Sequence, residues 1–164
     1  MMAKRILVPV GDVTRAEAIV PVVAALARES GGTVRLVSVQ PLQRTSLLEY
    51  ASKEPMYGYD VGVTIDLQQR VLAYGHAQED RLESETLERL RRLEPLLDGV
   101  PVERSVRFGD VVEEITREAD AFDADLVAVT ERRRPWWRPA LARIVDRVRA
   151  RVGVPVLTLA GGAR

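Results

Sequence analysis

The chain has 164 residues, a length that suits one domain with a full hydrophobic core. Its 46% hydrophobic and 29% charged residues are ordinary for a globular protein, and no run of 18 apolar residues offers a membrane-spanning helix. Basic and acidic residues balance at 24 each, and the absence of cysteine excludes disulfides, thiolate chemistry and cysteine metal sites. The single histidine, His76, lacks the partners that zinc would need, so no metal is expected. Met-Met-Ala-Lys-Arg runs straight into an apolar strand without the longer apolar region of a secretory signal, which makes a cytoplasmic protein the expectation.

Residues 5–10 (Arg-Ile-Leu-Val-Pro-Val) read as a central parallel strand, with Pro9 at its carboxyl end. After the Gly11-Asp12 turn, Thr14-Arg-Ala-Glu17 is a capping-box pattern that marks a helix start. Ile19, Val22, Val23 and Leu26 follow at helical spacing as its expected buried stripe. Pro21 interrupts the pattern, so the helix either kinks there or begins later. Gly31-Gly32 ends it, and Thr33 to Gln40 is a second strand closing a right-handed β-α-β unit.

Residues 42–66 lack clean periodicity and read as an irregular loop or insertion, with room for a short helix at 45–52. From about Asp66 to Leu97 the spacing predicts a charged helix. Leu82, Leu90, Leu93 and Leu97 face inward, and Glu79, Glu83, Glu85, Glu88, Arg89 and Arg92 face water. Residues 101–107 alternate as a third strand. Gly109 then turns the chain into a helix capped by Asp110, with Val112, Ile115, Ala119 and Phe122 as its buried stripe. Residues 126–130 are the fourth strand. A last helix, from Pro139 to about Ala150, buries Leu141, Ile144, Val145 and Val148, and 154–159 is the fifth strand. Residues 1–164 therefore form a single α/β domain, a doubly wound open parallel sheet of five strands with helices on both faces.

Charge is unevenly placed. Residues 110–125 hold seven acids and one arginine, and residues 132–151 hold eight arginines and one acid. Such segments are solvated faces or surfaces that help two bodies meet. The basic loop leaves the carboxyl end of the fourth strand, where ligands bind in open α/β sheets. A phosphate cradle would place glycines there, and this chain places arginines and tryptophans. Arg132, Arg133, Arg134 and Arg138 around Trp136 and Trp137 form a patch for an anion, or else the tryptophans pack over the sheet edge or in a dimer contact. Four arginines on a neutral chain are a small footprint for nucleic acid or membrane, and neither partner is expected.

In order and spacing, five stretches resemble universal stress proteins of the UspA-like kind. They are Arg-Ile-Leu-Val-Pro-Val (5–10), Val-Arg-Leu-Val-Ser-Val (34–39), Phe-Gly-Asp-Val-Val-Glu-Glu-Ile (108–115), Ala-Asp-Leu-Val-Ala-Val-Thr (124–130) and Val-Gly-Val-Pro-Val-Leu-Thr-Leu (152–159). The resemblance implies an adenine-nucleotide α-hydrolase-like sheet ordered 3-2-1-4-5, and a homodimer through the last strand at Val154, Val156 and Thr158. It also implies a nucleotide site that uses the glycine motif Gly, two residues, Gly, nine residues, Gly, Ser/Thr. Laid on this chain, those positions are Val129, Arg132, Ala142 and Arg143, and all four depart from the motif. The first-strand aspartate falls on Gly11, with Asp12 one place later; Val39 and Thr130 complete the family's nucleotide positions.

The leading expectation is thus a non-catalytic homodimer working through contacts with an unidentified protein, without cofactor. The alternative is a nucleotide- or anion-binding protein, taking ATP or AMP weakly on a rebuilt arginine site. An enzyme of the wider α-hydrolase type would need a Ser-Gly-Gly-x-Asp run after the first strand, and Gly-Asp-Val-Thr (11–14) is not one. No catalytic constellation appears elsewhere, since the acids read as lying on solvated helix faces.

Overall fold

In the computed structural model, which describes residues 3–42, 61–132 and 144–161, the apolar run after Lys4 forms strand β1 (Arg5–Pro9). Pro9 closes the strand as expected, where its missing N–H costs no interior ladder bond. Helix α1 (Val13–Ser30) begins before Pro21 and continues past it, so the later start is excluded. Pro21 and Glu17 both lie on the exposed side, so water can satisfy the Glu17 carbonyl that loses its intrahelical donor. Nor does Thr14 cap the helix. Asp12 is extended (φ −138, ψ 123), and its carboxylate accepts a hydrogen bond from the Thr14 amide at 2.9 Å. A carboxylate also answers the positive end of the helix dipole, which a threonine hydroxyl does not. At the far end Gly31 is left-handed (φ 64), and the Gly32 amide reaches back to the Ala27 carbonyl at 2.8 Å.

Strand β2 (Thr33–Gln40) follows, then helix α2 (Val61–Arg91) and a 3-10 turn (Glu94–Leu97). Strand β3 (Val102–Phe108), helix α3 (Val111–Ala121), strand β4 (Leu126–Arg132), helix α4 (Ile144–Arg151) and strand β5 (Val156–Gly161) complete the order. The strands pair in parallel in the order β3-β2-β1-β4-β5, as expected. Period-2 alternation then builds two cores. Ile6, Val8, Val34, Leu36 and Ala128 meet α1 together with Leu90, Leu93 and Leu97. Leu7, Val37, Val127 and Val129 meet α3 and α4 on the other face.

Several expectations need correction. Helix α2 starts at Val61, inside the stretch read as irregular loop, and the chain tightens to a 3-10 turn at 94–97, where Pro95 removes an α-helical donor. Residues 43–60, with the short helix expected at 45–52, lie outside the described residues. Glu79 is buried, on the same helix face as buried Gly75 four residues before it, and Leu82 is only half-buried. Val22, expected in the buried stripe of α1, is 42% exposed beside exposed Pro21 on the outer side of the helix. Ile144, expected in the core, is 48% exposed because it sits at the sheet's open carboxyl end. Strand β4 continues to Arg132, and β5 begins at Val156, beyond Pro155.

The stripe Val112, Ile115, Ala119 and Phe122 is buried as expected, but the acids of α3 do not all face water. Glu114 is buried, and Glu118 is 1% exposed. Glu118 accepts hydrogen bonds from Arg35 on β2, at 2.8 Å, and from Arg107 on β3. Arg35 also donates to Glu103 at 2.8 Å and lies over the Phe122 ring, 4.2 Å from its centre. Three residues after Ile115 and four before Phe122, Glu118 belongs to the buried stripe by helical spacing. The acidic and basic segments also meet within one chain: Arg151 lies 4.0 Å from Glu113, and Arg147 and Arg151 bear on Asp110.

Candidate functional site

β1 and β4 pair only at Ile6–Leu126 and Leu7–Val127, whereas β4 stays in register with β5 as far as Arg132–Gly161. The two central strands therefore part at their carboxyl ends, where the strand order reverses. A crevice opens there, as sheets of this topology dictate. It holds about 420 Å³. Pro9, Gly11, Asp12 and Arg15 line one side and Val129, Thr130 and Glu131 another; Val111, Ile115, Ile144 and Val145 supply apolar wall from α3 and α4.

Local structure sets the polar groups. Asp12 is held by its capping bond to the Thr14 amide and by Arg15, 3.8 Å away in the first helical turn. Both side chains are about half exposed, so solvent screens the pair. Behind the wall, Asp110 caps α3 through bonds from the Val112 and Glu113 amides at 3.1 and 3.0 Å. The Glu113 amide, then the positive charges of Arg147 and Arg151, hold its carboxyl below the usual range. Removing this pair of bonds by Asp110→Ala should lower the melting temperature and loosen the α3 wall; an unchanged melting curve would show that the cap is dispensable.

Chemically the crevice suits a flat apolar ring edged by hydrogen-bonding groups. Thr130 supplies its hydroxyl, Asp12 and Glu131 its carboxylates, and Arg15 its cation; no histidine lines it. Among the described residues no group of three metal-ligating side chains occurs, and no helix is long and apolar enough to cross a membrane.

Of the residues singled out in the sequence, Gly11, Asp12, Val129 and Thr130 come together in this crevice. Val39 does not line it; the side chain packs half-buried against the core beneath α3 and α4. Arg132 ends β4 opposite Gly161. Ala142, Arg143, Arg133, Arg134, Arg138, Trp136 and Trp137 lie outside the described residues. Val154 and Val156 pack half-buried against the α3–α4 core, and Thr158 pairs with Val129 on the edge strand. Sequence reasoning missed Arg15, Val111 and Ile144 as crevice residues. Their signal was present for two of them: Arg15 is one turn from the Asp12 cap, and Val111 directly follows the Asp110 cap.

The model of the universal stress protein family matches residues 2–159. A universal stress protein described in complex with cAMP superposes with a TM-score of 0.57 at 14% identity, covering 99% of this chain and 100% of that one. The Archaeoglobus fulgidus universal stress protein in complex with dAMP gives 0.50 at 18%, covering 96% and 98%. UspA from Lactobacillus plantarum gives 0.57 at 14%, covering 95% and 97%. At these identities the likeness to solved structures is one of fold. A search of the curated proteins found no match.

Proposed function

Because the chain belongs to the universal stress protein family, we propose that it acts as a non-catalytic member, a cytoplasmic homodimer that works through protein contacts and holds no ATP in the glycine-motif manner. The observation that carries this reading is the course of β4. Thr130, Glu131 and Arg132 remain in the sheet opposite Leu159, Ala160 and Gly161. A phosphate cradle needs successive amides turned outward in a tight glycine loop, and backbone engaged in a strand ladder does not present them. Val129, where the first motif glycine falls, is buried, and Arg132 carries a long side chain where the second falls.

The homodimer rests on β5. It is an edge strand, and an uncovered edge offers amides and carbonyls to a second copy. Thr158→Lys would set like charges against each other across such a contact. The expected result in sedimentation is a dimer converted to monomer. An unaltered protein that is already monomeric at micromolar concentration removes this part of the reading.

A second reading is favoured by the crevice itself, which stays open and apolar-walled although the glycines are gone. It would take an adenine mononucleotide, the ligand class of two similar structures. Calorimetric titration separates the two. The first reading expects no heat with magnesium–ATP at millimolar concentration, nor with cAMP or dAMP. Micromolar ATP binding weakened by Arg132→Ala overturns it. Binding of cAMP or dAMP alone, lost in Ile144→Arg, establishes the second reading in its place.

A further inference from the structure

A second cleft, of about 370 Å³, lies on the opposite face of the sheet, between the carboxyl ends of β1 and β2 and the last turns of α2. That volume falls near the lower end for small-molecule sites, about 300–1,000 Å³. Its base is polar. Ser38, 5% exposed, and Thr86, 2% exposed, are the buried polar side chains there, and Gln40 donates to the Ser38 hydroxyl at 3.0 Å. Alternation along β2 explains the placement: Ser38 faces α1 and α2, away from its neighbours Val37 and Val39, which face α3.

Two arginines overlook this base. Arg89 in the last turn of α2 and Arg92 in the turn just past it are three residues apart, and both line the cleft. Arg89 donates to the Thr86 hydroxyl at 2.9 Å. Neither guanidinium has a carboxylate partner among the described residues. Their neighbours differ: Arg81, Arg91 and Arg104 are paired with Glu85, Glu88 and Glu94. Asp12 is the acid on the rim, and its charge is directed to the α1 cap and to Arg15.

We propose that this cleft binds a small phosphate monoester, with Arg89 and Arg92 holding the phosphate and Ser38, Gln40 and Thr86 bonding the remainder. Two guanidinium groups with spare donors match the oxygens of a phosphate dianion by charge-assisted bonds. The polar base supplies hydroxyl and amide partners suited to a polyol or small sugar. The site shares only the β1–α1 turn with the crevice between β1 and β4. It stands whether or not that crevice holds a nucleotide.

The test is NMR titration of the uniformly labelled protein with inorganic phosphate and with glycerol 3-phosphate, at an ionic strength of about 0.15 M. Both probes are expected to move the amide signals of Thr14, Ser38 and Gln40, with the ester binding more tightly. Arg92→Gln, which removes no side-chain hydrogen bond or ion pair among the described residues, should weaken binding about tenfold, and Arg89→Gln similarly. Ile144→Trp fills the other crevice and should leave both affinities unchanged. Shifts that ignore the two arginine variants, or that vanish in Ile144→Trp, overturn the proposal. So does binding of inorganic phosphate with exclusion of the ester, or no shift with either probe at millimolar concentration.

Discussion

Glu118→Gln is expected to destabilise the protein by about 3 kcal/mol at neutral pH, the lower end for removing one partner of a buried pair. The lower end applies because Arg35 and Arg107 keep 22% and 39% exposure and can turn partly to water. For a domain of this size that is a fall of roughly 6–12 °C in melting temperature. Burial by itself would raise the Glu118 carboxyl; the bonds from Arg107 and Arg35 outweigh it and hold the group below the ordinary glutamate value of 4.5. The unfolded chain then binds more protons than the folded one between those two values. Glu118 therefore contributes stability that is fully present above about 4.5 and is lost as pH falls through the lower folded value. Thermal unfolding followed from pH 7 downward should show this acid limb in the unaltered protein and a flattened one in Glu118→Gln. Equal melting temperatures at neutral pH would mean that the cluster contributes nothing net.

Gly32→Ala is expected to cost about 2–3 kcal/mol by forced overpacking. A Cβ at this position would stand 2.8 Å from the Lys4 carbonyl oxygen and 2.9 Å from that of Ala3. Both are backbone atoms just before β1, and the Lys4 oxygen already accepts the Thr33 amide at 2.7 Å. Relief requires β1 and β2 to separate where their ladder begins. Gly11→Ala is the control, since nothing lies within 4 Å of a Cβ there, and it should stay within about 0.5 kcal/mol. Denaturant midpoints read both. If the two alanine variants unfold together, the close approach at Gly32 is not what its lack of a side chain serves.

The two variants also mark what was legible beforehand. The Gly31-Gly32 pair announced a helix end, and the left-handed Gly31 is such an end; the clash at Gly32 depends on β1, which is remote in sequence. Asp110 was legible as a cap because capping is local, whereas Asp12 was passed over for Thr14 although the two are neighbours. There the competing carboxylate prevailed through its charge. The crevice followed from topology: once β1 and β4 are central and parallel, their carboxyl ends must part. Which side chains line it did not follow, since Ile144 looked like a core residue by spacing and Val39 looked like a site residue by family position.

The sequence by itself determined the five strands, their order through the family resemblance, the buried stripe of α3 and the absence of glycine at positions 129, 132 and 142. Each of these rests on periodicity, on local chemistry, or on residues present or absent at a position. Only the tertiary structure decided that Glu118 is buried between two arginines from different strands, that β4 keeps its ladder to Arg132, and that Arg89 and Arg92 overlook a polar cleft with no carboxylate partner among the described residues. The physical reason is common to all three. The partner of a charge, and whether a backbone amide is taken, depend on which distant segment lies alongside, and no window of neighbouring residues contains that information.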